Sequence, residues 1–338
     1  MKDKLTLTDQ IAYMRDTKKI QFDANFSETM AQDFLTNHNY FFKLKSYSKL
    51  FEKSQKINEE NQYTDLHFSQ LVELSRIDLY IRQLIINITL SIEHSLKIEL
   101  ILDISNDPNE NGYSIVQKFF NADKYNYKIL DNIYYKYKNK SKTNSSHDYT
   151  SKIIDKYFPK FPAWAFVEII NFGELINFYS FYYKNTSDKS KIEIINLLFF
   201  VKKIRNACAH NNCLLPSLKR KNPNPNRDLL PILKYKFNKD KSGKDFRIFS
   251  KSEKSKLQTI LIKDLVSTII VLCEVTSNEG LKIHHMKELK HLFDETIPNS
   301  KSFFTQSNIG EKYLIDSYKL LKNIIDIYYM DLKIEKKN

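Results

Sequence analysis

The sequence predicts a mainly α fold: a helical core with an N-terminal helical extension, a small basic β-hairpin insert and C-terminal helices. Three observations lead there. Glycine supplies only 5 of 338 residues, where average usage is roughly 7%. Such a chain has few positions for left-handed turns, tight hairpins or Gly-rich phosphate loops, which argues against a Rossmann fold, a P-loop enzyme or an all-β barrel. The hydrophobic fraction is 42% and the aromatic fraction 13%, enough for a large core and too much for wholesale disorder. Apolar residues recur at helical spacing, most clearly at Ile77, Ile81, Leu84, Ile88 and Ile92.

Each element can be argued in order. Residues 7–17 and 25–37 read as short helices, the second capped by Asn25 or Ser27 with Glu28 in its first turn. Tyr40–Phe51 is an aromatic-rich helix or turn. Residues 64–104 form the long helix, with Thr64 as its cap and Asn106, Asp107, Pro108 and Asn109 ending it. Residues 114–138 are helical, and 138–148 read as a loop. A helix over 148–157 precedes the breaks at Pro159 and Pro162. Ala163–Phe172 and Glu174–Lys184 form a helix pair jointed at Gly173. Lys189–Asn211 is an interrupted helix, and 214–231 is a Pro/Asn-rich loop. Lys234–Phe237 and Phe246–Phe249 alternate around a polar turn and predict the hairpin. Residues 257–277, 279–294 and 309–335 are C-terminal helices.

The charge is unevenly placed. The formal net charge is +13. Residues 201–260 hold sixteen Lys/Arg against four Asp/Glu, a net of +12. Residues 124–160 hold nine Lys against three Asp, a net of +6. An AT-rich coding sequence accounts for part of the basicity but not for its concentration. Clustered Lys/Arg among Tyr and Phe is the footprint of a polyanion surface, because phosphates release counterions and bases stack on rings. The bland alternative is a solvated loop. Lys202, Lys203, Lys219, Arg220, Lys221 and Arg227 are the phosphate-contact candidates.

Three cysteines without a CxxC pair argue against a disulfide framework or zinc ribbon, and point to a reducing compartment. The N-terminus lacks an apolar signal core. The longest apolar stretch, Ile192–Val201, contains Glu193 and Asn196 and is too short to span a bilayer. A cytoplasmic location away from membranes is the expectation.

The larger basic segment opens on KKIRNACAHNN, which contains Arg205, Asn206 and His210 as R-N-x-x-x-H. On a helix, Asn206 and His210 share a face, and Arg205 lies one position round. These residue types suit RNA cleavage by internal transfer, in which the 2′-hydroxyl attacks the adjacent phosphorus. An imidazole titrates at about 6.5 and can serve as acid or base. A guanidinium can hold two phosphate oxygens and stabilise the charge that develops there. An amide can orient the imidazole or donate to phosphate. No metal or other cofactor is called for, and no H-E-x-x-H or Cys/His ligand spacing is present. Spacing alone is weak, since the bland reading is a surface Arg and a His in a last helical turn.

Four blocks add to that pattern: YFFKLKSYSKLF from Tyr40; the long helix through Asp78, Arg82, Glu93 and Glu99; FPAWAFVEIINFGELINFY through Pro162, Trp164, Glu168, Phe172 and Gly173; and IRNACAHNNCL. Through their ordered occurrence over residues 40–215 the chain resembles the Abi family of bacterial phage-defence proteins (AbiD/AbiF-like abortive infection proteins), whose core belongs to the HEPN superfamily. Ser46 stands where the family usually has Gly. The resemblance implies a HEPN-like helical bundle and a metal-independent endoribonuclease with toxin-like action. It gives Arg205, Asn206 and His210 the roles of phosphate contact, polar support and acid/base. It also implies a homodimer in which two motifs share one cleft. A toxin needs restraint, and the basic charge makes a structured noncoding RNA as reasonable an antitoxin as a protein. The competing reading is a non-catalytic RNA-binding protein that holds a regulatory RNA.

Glu93 is either a solvent-facing carboxylate or a partner that orients Arg205 or His210. Arg82 is an extra phosphate contact or, more simply, the i,i+4 ion-pair partner of Asp78. Trp164 reads as a core anchor between two helices, and Cys208 as a small buried helix residue rather than a nucleophile. His284, His285 and His291 with Cys273 show no ligand spacing and read as residues of a C-terminal helix. The expected organisation is an N-terminal extension over 1–60, the helical core over 61–215, and the basic loop, hairpin and C-terminal helices over 216–338.

Overall fold

The computed structural model describes residues 4–24, 26–56, 59, 61–143, 149–185, 188–221, 229, 231–233, 249–299, 304 and 309–335. It is mostly helical, and the β pairing among the described residues consists of isolated bridges such as Gln21 with His67 and Lys221 with Thr259. The expected hairpin at 234–249 falls outside the described residues except for Phe249, which is buried.

The helices are α1 (Leu7–Ala12), α2 (Glu28–Asn37), α3 (Phe41–Ser46), α4 (Phe68–Asn106), α5 (Ser114–Ala122), α6 (Lys124–Thr143), α7 (Ser151–Tyr157), α8 (Ala163–Ile169), α9 (Phe172–Tyr182), α10 (Lys189–Ala209), α11 (Lys251–Leu257), α12 (Ile260–Val275), α13 (Glu279–His291) and α14 (Ile309–Glu335). Capping explains several boundaries. Thr6 and Asp9 form a capping box on α1, and Ser27 accepts the Met30 N–H at the start of α2. Helix α4 begins four residues after Thr64, where Gln70 accepts the N–H of His67.

Some sequence expectations shift. The segment 114–138 is two helices, because Asp123 takes an extended conformation between α5 and α6, and α6 runs on to Thr143 into the expected loop. The joint between α8 and α9 is Asn171, not Gly173. Asn171 accepts the N–H groups of Gly173 and Glu174, and Glu174 accepts the N–H of Asn171 in return. Gly173 lies inside the first turn of α9. A Cβ there would stand 2.7 Å from Lys202 Cε and Nζ, so the missing side chain lets Lys202 lie against the helix start. Helix α10 is uninterrupted. The Pro/Asn-rich segment opens with a 3-10 turn, Leu215–Lys219. The expected helix over 257–277 breaks at Gln258 and Thr259.

The chain falls into two compact units, assembled by contact rather than chain order. One contains Met1–Ile88, Lys203–Ile270 and Asn278–Asn338, and the other contains Thr89–Lys202 and Val271–Ser277. The first has a core of Leu44, Tyr47, Leu71, Ile262, Ile269, Met286, Ile324 and Tyr328. Within it Gln70 donates to the buried Glu311 carboxylate at 2.8 Å, and Lys290 joins α13 to Asp326 of α14 at 2.6 Å. The second unit is built on an aromatic cluster of Phe119, Phe120, Phe166 and Phe178, with rings in edge-on and tilted contacts. Tyr179 and Lys191 both bind Glu99 there.

Trp164 belongs to this second unit and corrects the expectation of a core anchor. It is 46% exposed and packs edge-on against Tyr113. Gly112 lies under it at φ 78°, where a Cβ would come within 2.6 Å of the indole. The sequence read Trp164, after the double-proline break, as an anchor between two helices. The ring instead roofs a glycine turn.

Candidate functional site

Helix α10 ends immediately before His210. The Asn212 N–H bonds the Ala207 carbonyl at 2.8 Å, and the Asn211 N–H bonds the Cys208 carbonyl at 3.0 Å. That pair of bonds is a Schellman motif, which satisfies the last carbonyls of a helix and needs a left-handed residue. Asn211 supplies it with φ 55°. In a chain so short of glycine, asparagine is the next residue able to adopt this conformation. The turn fixes His210 at the helix end, its own N–H on the Asn206 carbonyl at 3.0 Å. The His210 side chain is exposed, and its ring makes no hydrogen bond or ion pair among the described residues.

Arg205 and Asn206 are half-buried one turn earlier. Arg205 Nη1 donates to Asn206 Oδ1 at a long 3.4 Å, and Arg205 Nε lies out of solvent. The Asn206 amide is therefore turned toward the guanidinium. Cys208, between them and His210, has its thiol pushed up to about 12 by burial, so it is no thiolate nucleophile at neutral pH.

What holds the segment after His210 is the carboxylate of Asp78, which is fully buried. It accepts the N–H of Leu214 at 3.0 Å, the N–H of Leu215 at 2.8 Å and the Tyr47 hydroxyl at 2.9 Å, and it pairs with Arg82. Burial pushes the Asp78 carboxyl above the ordinary carboxylate range, opposed by Arg82 and by these hydrogen bonds. Leu214 and Leu215 open the 3-10 turn, whose first N–H groups have no partner within the turn and so meet the carboxylate. Tyr47 from the first block, Asp78 and Arg82 from the second, Leu214 from the fourth and Leu215 just after it thus meet at one side chain. Arg82 is 6% exposed and paired with Asp78, so of its two readings the ion pair describes it and the extra phosphate contact is corrected: its charge is not offered to solvent.

The turn leads into an exposed basic triplet, Lys219, Arg220 and Lys221. Its backbone is fixed. The Tyr313 hydroxyl binds the Leu218 carbonyl at 2.8 Å, the Ile260 N–H binds the Arg220 carbonyl at 2.9 Å, and Lys221 bridges Thr259. Lys203 is exposed and Lys202 half-buried, while Arg227 lies outside the described residues. Glu93 belongs to the other unit. It is half-buried with Oε2 out of solvent, so it is not the solvent-facing carboxylate of the simpler reading.

The family model described as Abi-like protein matches residues 33–215. The chain belongs to the Abi-like family. Its matched region begins in α2 and closes on Leu215, so it spans Tyr47, Asp78, Arg82, the R-x4-H segment and the turn start that Asp78 holds. Membership suggests a part in abortive infection, a form of phage defence. No curated protein and no solved structure matches this Abi-like chain. No helix among its described residues is long and apolar enough to cross a membrane.

Sequence reasoning missed two residues that shape the site. Asn211 was legible, because an Asn just past a helix end is a signal for a left-handed cap. Tyr47 was not, since nothing in the sequence ties its hydroxyl to a carboxylate 31 residues on.

Proposed function

We propose that this Abi-like protein is a HEPN-type, metal-independent endoribonuclease of abortive infection. The observation that carries the reading is the placement of His210: an exposed imidazole at a fixed helix end, one turn past Arg205 and Asn206. In the proposed reaction the ribose 2′-hydroxyl attacks the neighbouring phosphorus, and its proton passes to a base. The bond from phosphorus to the 5′-oxygen breaks, and that oxygen takes a proton from an acid. The products are a 2′,3′-cyclic phosphate and a 5′-hydroxyl. His210 serves as one proton carrier, Arg205 stabilises the charge gathering on phosphate, and Asn206 supports the guanidinium it touches. A homodimer would supply the second carrier as His210 of the partner subunit. Lys203, Lys219, Arg220 and Lys221 would hold the RNA backbone on either side of the helix end, with Lys202 and Arg227 as further contacts. The growth arrest that follows would need an inhibitor, a noncoding RNA or a protein.

A second reading, an RNA-binding protein without catalysis, is favoured by the fixed and exposed basic triplet. His210→Ala separates the two. Loss of cleavage and of toxicity on induction, with RNA affinity retained, supports the enzyme. Equal toxicity of parent and variant leaves the binding protein.

A further inference from the structure

Helix α13 carries His284, His285 and Glu288 within one turn. His284 Nε2 lies 3.5 Å from Glu288 Oε2, and His285 Nδ1 lies 3.3 Å from the same oxygen. All three ligand atoms lie within 4.8 Å of one another.

Two features set this cluster apart from an ordinary ion pair on a helix surface. The first is distance. The His285 contact is a hydrogen bond and the His284 contact an ion pair, both longer than the usual N–H···O bond of about 2.9 Å. They match the edge of a coordination tetrahedron, since ligands at about 2.0–2.1 Å from zinc stand roughly 3.4 Å apart. Two imidazole nitrogens face one carboxylate oxygen at 3.5 and 3.3 Å, separations compatible with a shared zinc ion that would replace the hydrogen bond from His285. The second is the gradient of burial. The His285 side chain is 6% exposed, Glu288 39% and His284 62%. One ligand is fixed by packing against the interior, and the other two close over it from the solvent side, where rearrangement costs little. Preorganisation of this kind is what a three-ligand site needs.

We propose that His284, His285 and Glu288 bind one divalent transition metal ion, zinc by ligand type, through two imidazole nitrogens and one carboxylate oxygen. Two nitrogen donors disfavour magnesium and calcium, which take oxygen ligands. Three protein ligands leave a fourth position for water or an incoming oxygen, as in sites where zinc remains reactive or exchangeable. None of the R-x4-H residues takes part, so the proposal stands apart from the ribonuclease reading. The three residues sit at i, i+1 and i+4, outside the familiar ligand spacings, so the pattern His284, His285, His291 and Cys273 does not point to Glu288.

The test uses the full-length protein, stripped of metal with a chelator and titrated calorimetrically with zinc chloride. The expected result is one zinc per chain. Glu288→Gln and His284→Ala, both on the solvent side, should each weaken binding by at least roughly tenfold. Without zinc the variants should unfold at the parent's temperature, and zinc should raise the Tm of the parent more than theirs. Magnesium chloride should give no heat. Cobalt(II) loaded into the parent should give a tetrahedral spectrum without thiolate charge transfer. The proposal is overturned by absence of zinc binding, by binding that both variants keep unchanged, or by a thiolate band that places the ion on the cysteines.

Discussion

The buried carboxylate of Asp78 accepts the backbone N–H of Leu215 at 2.8 Å, five residues after His210. The exit of the motif helix is therefore pinned through a side chain on α4, and Asp78 couples the stability of the fold to the geometry of the site.

Removing that carboxylate should be costly. Asp78→Ala leaves Arg82 buried without its partner and uncaps Leu214 and Leu215. Breaking a buried pair from one side typically costs about 3–5 kcal/mol. Urea denaturation should show a loss of that size. Asp78→Leu with Arg82→Met should cost less than the sum of the single changes, because no lone charge remains.

Asn211 should tolerate glycine and resist β-branching. Its φ of 55° suits Gly without strain. Asn211→Gly should leave stability within about 0.5 kcal/mol and keep cleavage. Asn211→Val should lower stability by about 1–2 kcal/mol and reduce cleavage as well, since the turn that presents His210 loosens. Parallel denaturation and RNA-cleavage assays decide it. A Val variant with parental stability and activity would remove the Schellman turn from the argument.

Asp264 should make stability fall as pH rises. Its side chain is buried on α12, where burial raises the carboxyl from 3.8 to about 7, against the pull of Lys203 and Lys263. Its Oδ1 and the Ser267 Oγ, one turn on, are buried without a hydrogen-bond partner among the described residues. Between pH 4 and 7 the folded chain holds a proton that the unfolded chain has released. This group's contribution is thus complete below the unfolded value and lost as pH climbs through about 7. The loss is on the order of a few kcal/mol. Asp264→Asn should flatten denaturation midpoints over that window.

The basic triplet should govern RNA affinity more than cleavage chemistry. Lys219→Ala, Arg220→Ala and Lys221→Ala should each reduce the slope of log affinity against log salt by about 1 if each contacts one phosphate. Binding titrations from 50 to 200 mM salt, roughly the range where such losses reach 10³–10⁵, provide the measurement. Unchanged slopes would return the triplet to the role of a solvated loop.

The sequence by itself determined the helical class, the family, the motif and most helix positions. Those depend on local rules: apolar spacing along Ile77 to Ile92, a cap at Asn25 or Ser27, a break at Pro159 and Pro162, an ordered set of short blocks. Tertiary structure decided which polar residues face water and which face each other. Arg82 and Arg220 look alike in a basic sequence, yet one is buried against Asp78 and the other is exposed. Trp164 is large and apolar but roofs a glycine at the surface, because Gly112 has no Cβ to keep the indole away. Burial and pairing arise from contacts between segments tens to hundreds of residues apart, as Asp78 with Leu215 or Gln70 with Glu311. No periodicity within one helix encodes those contacts, so only the folded chain assigns them.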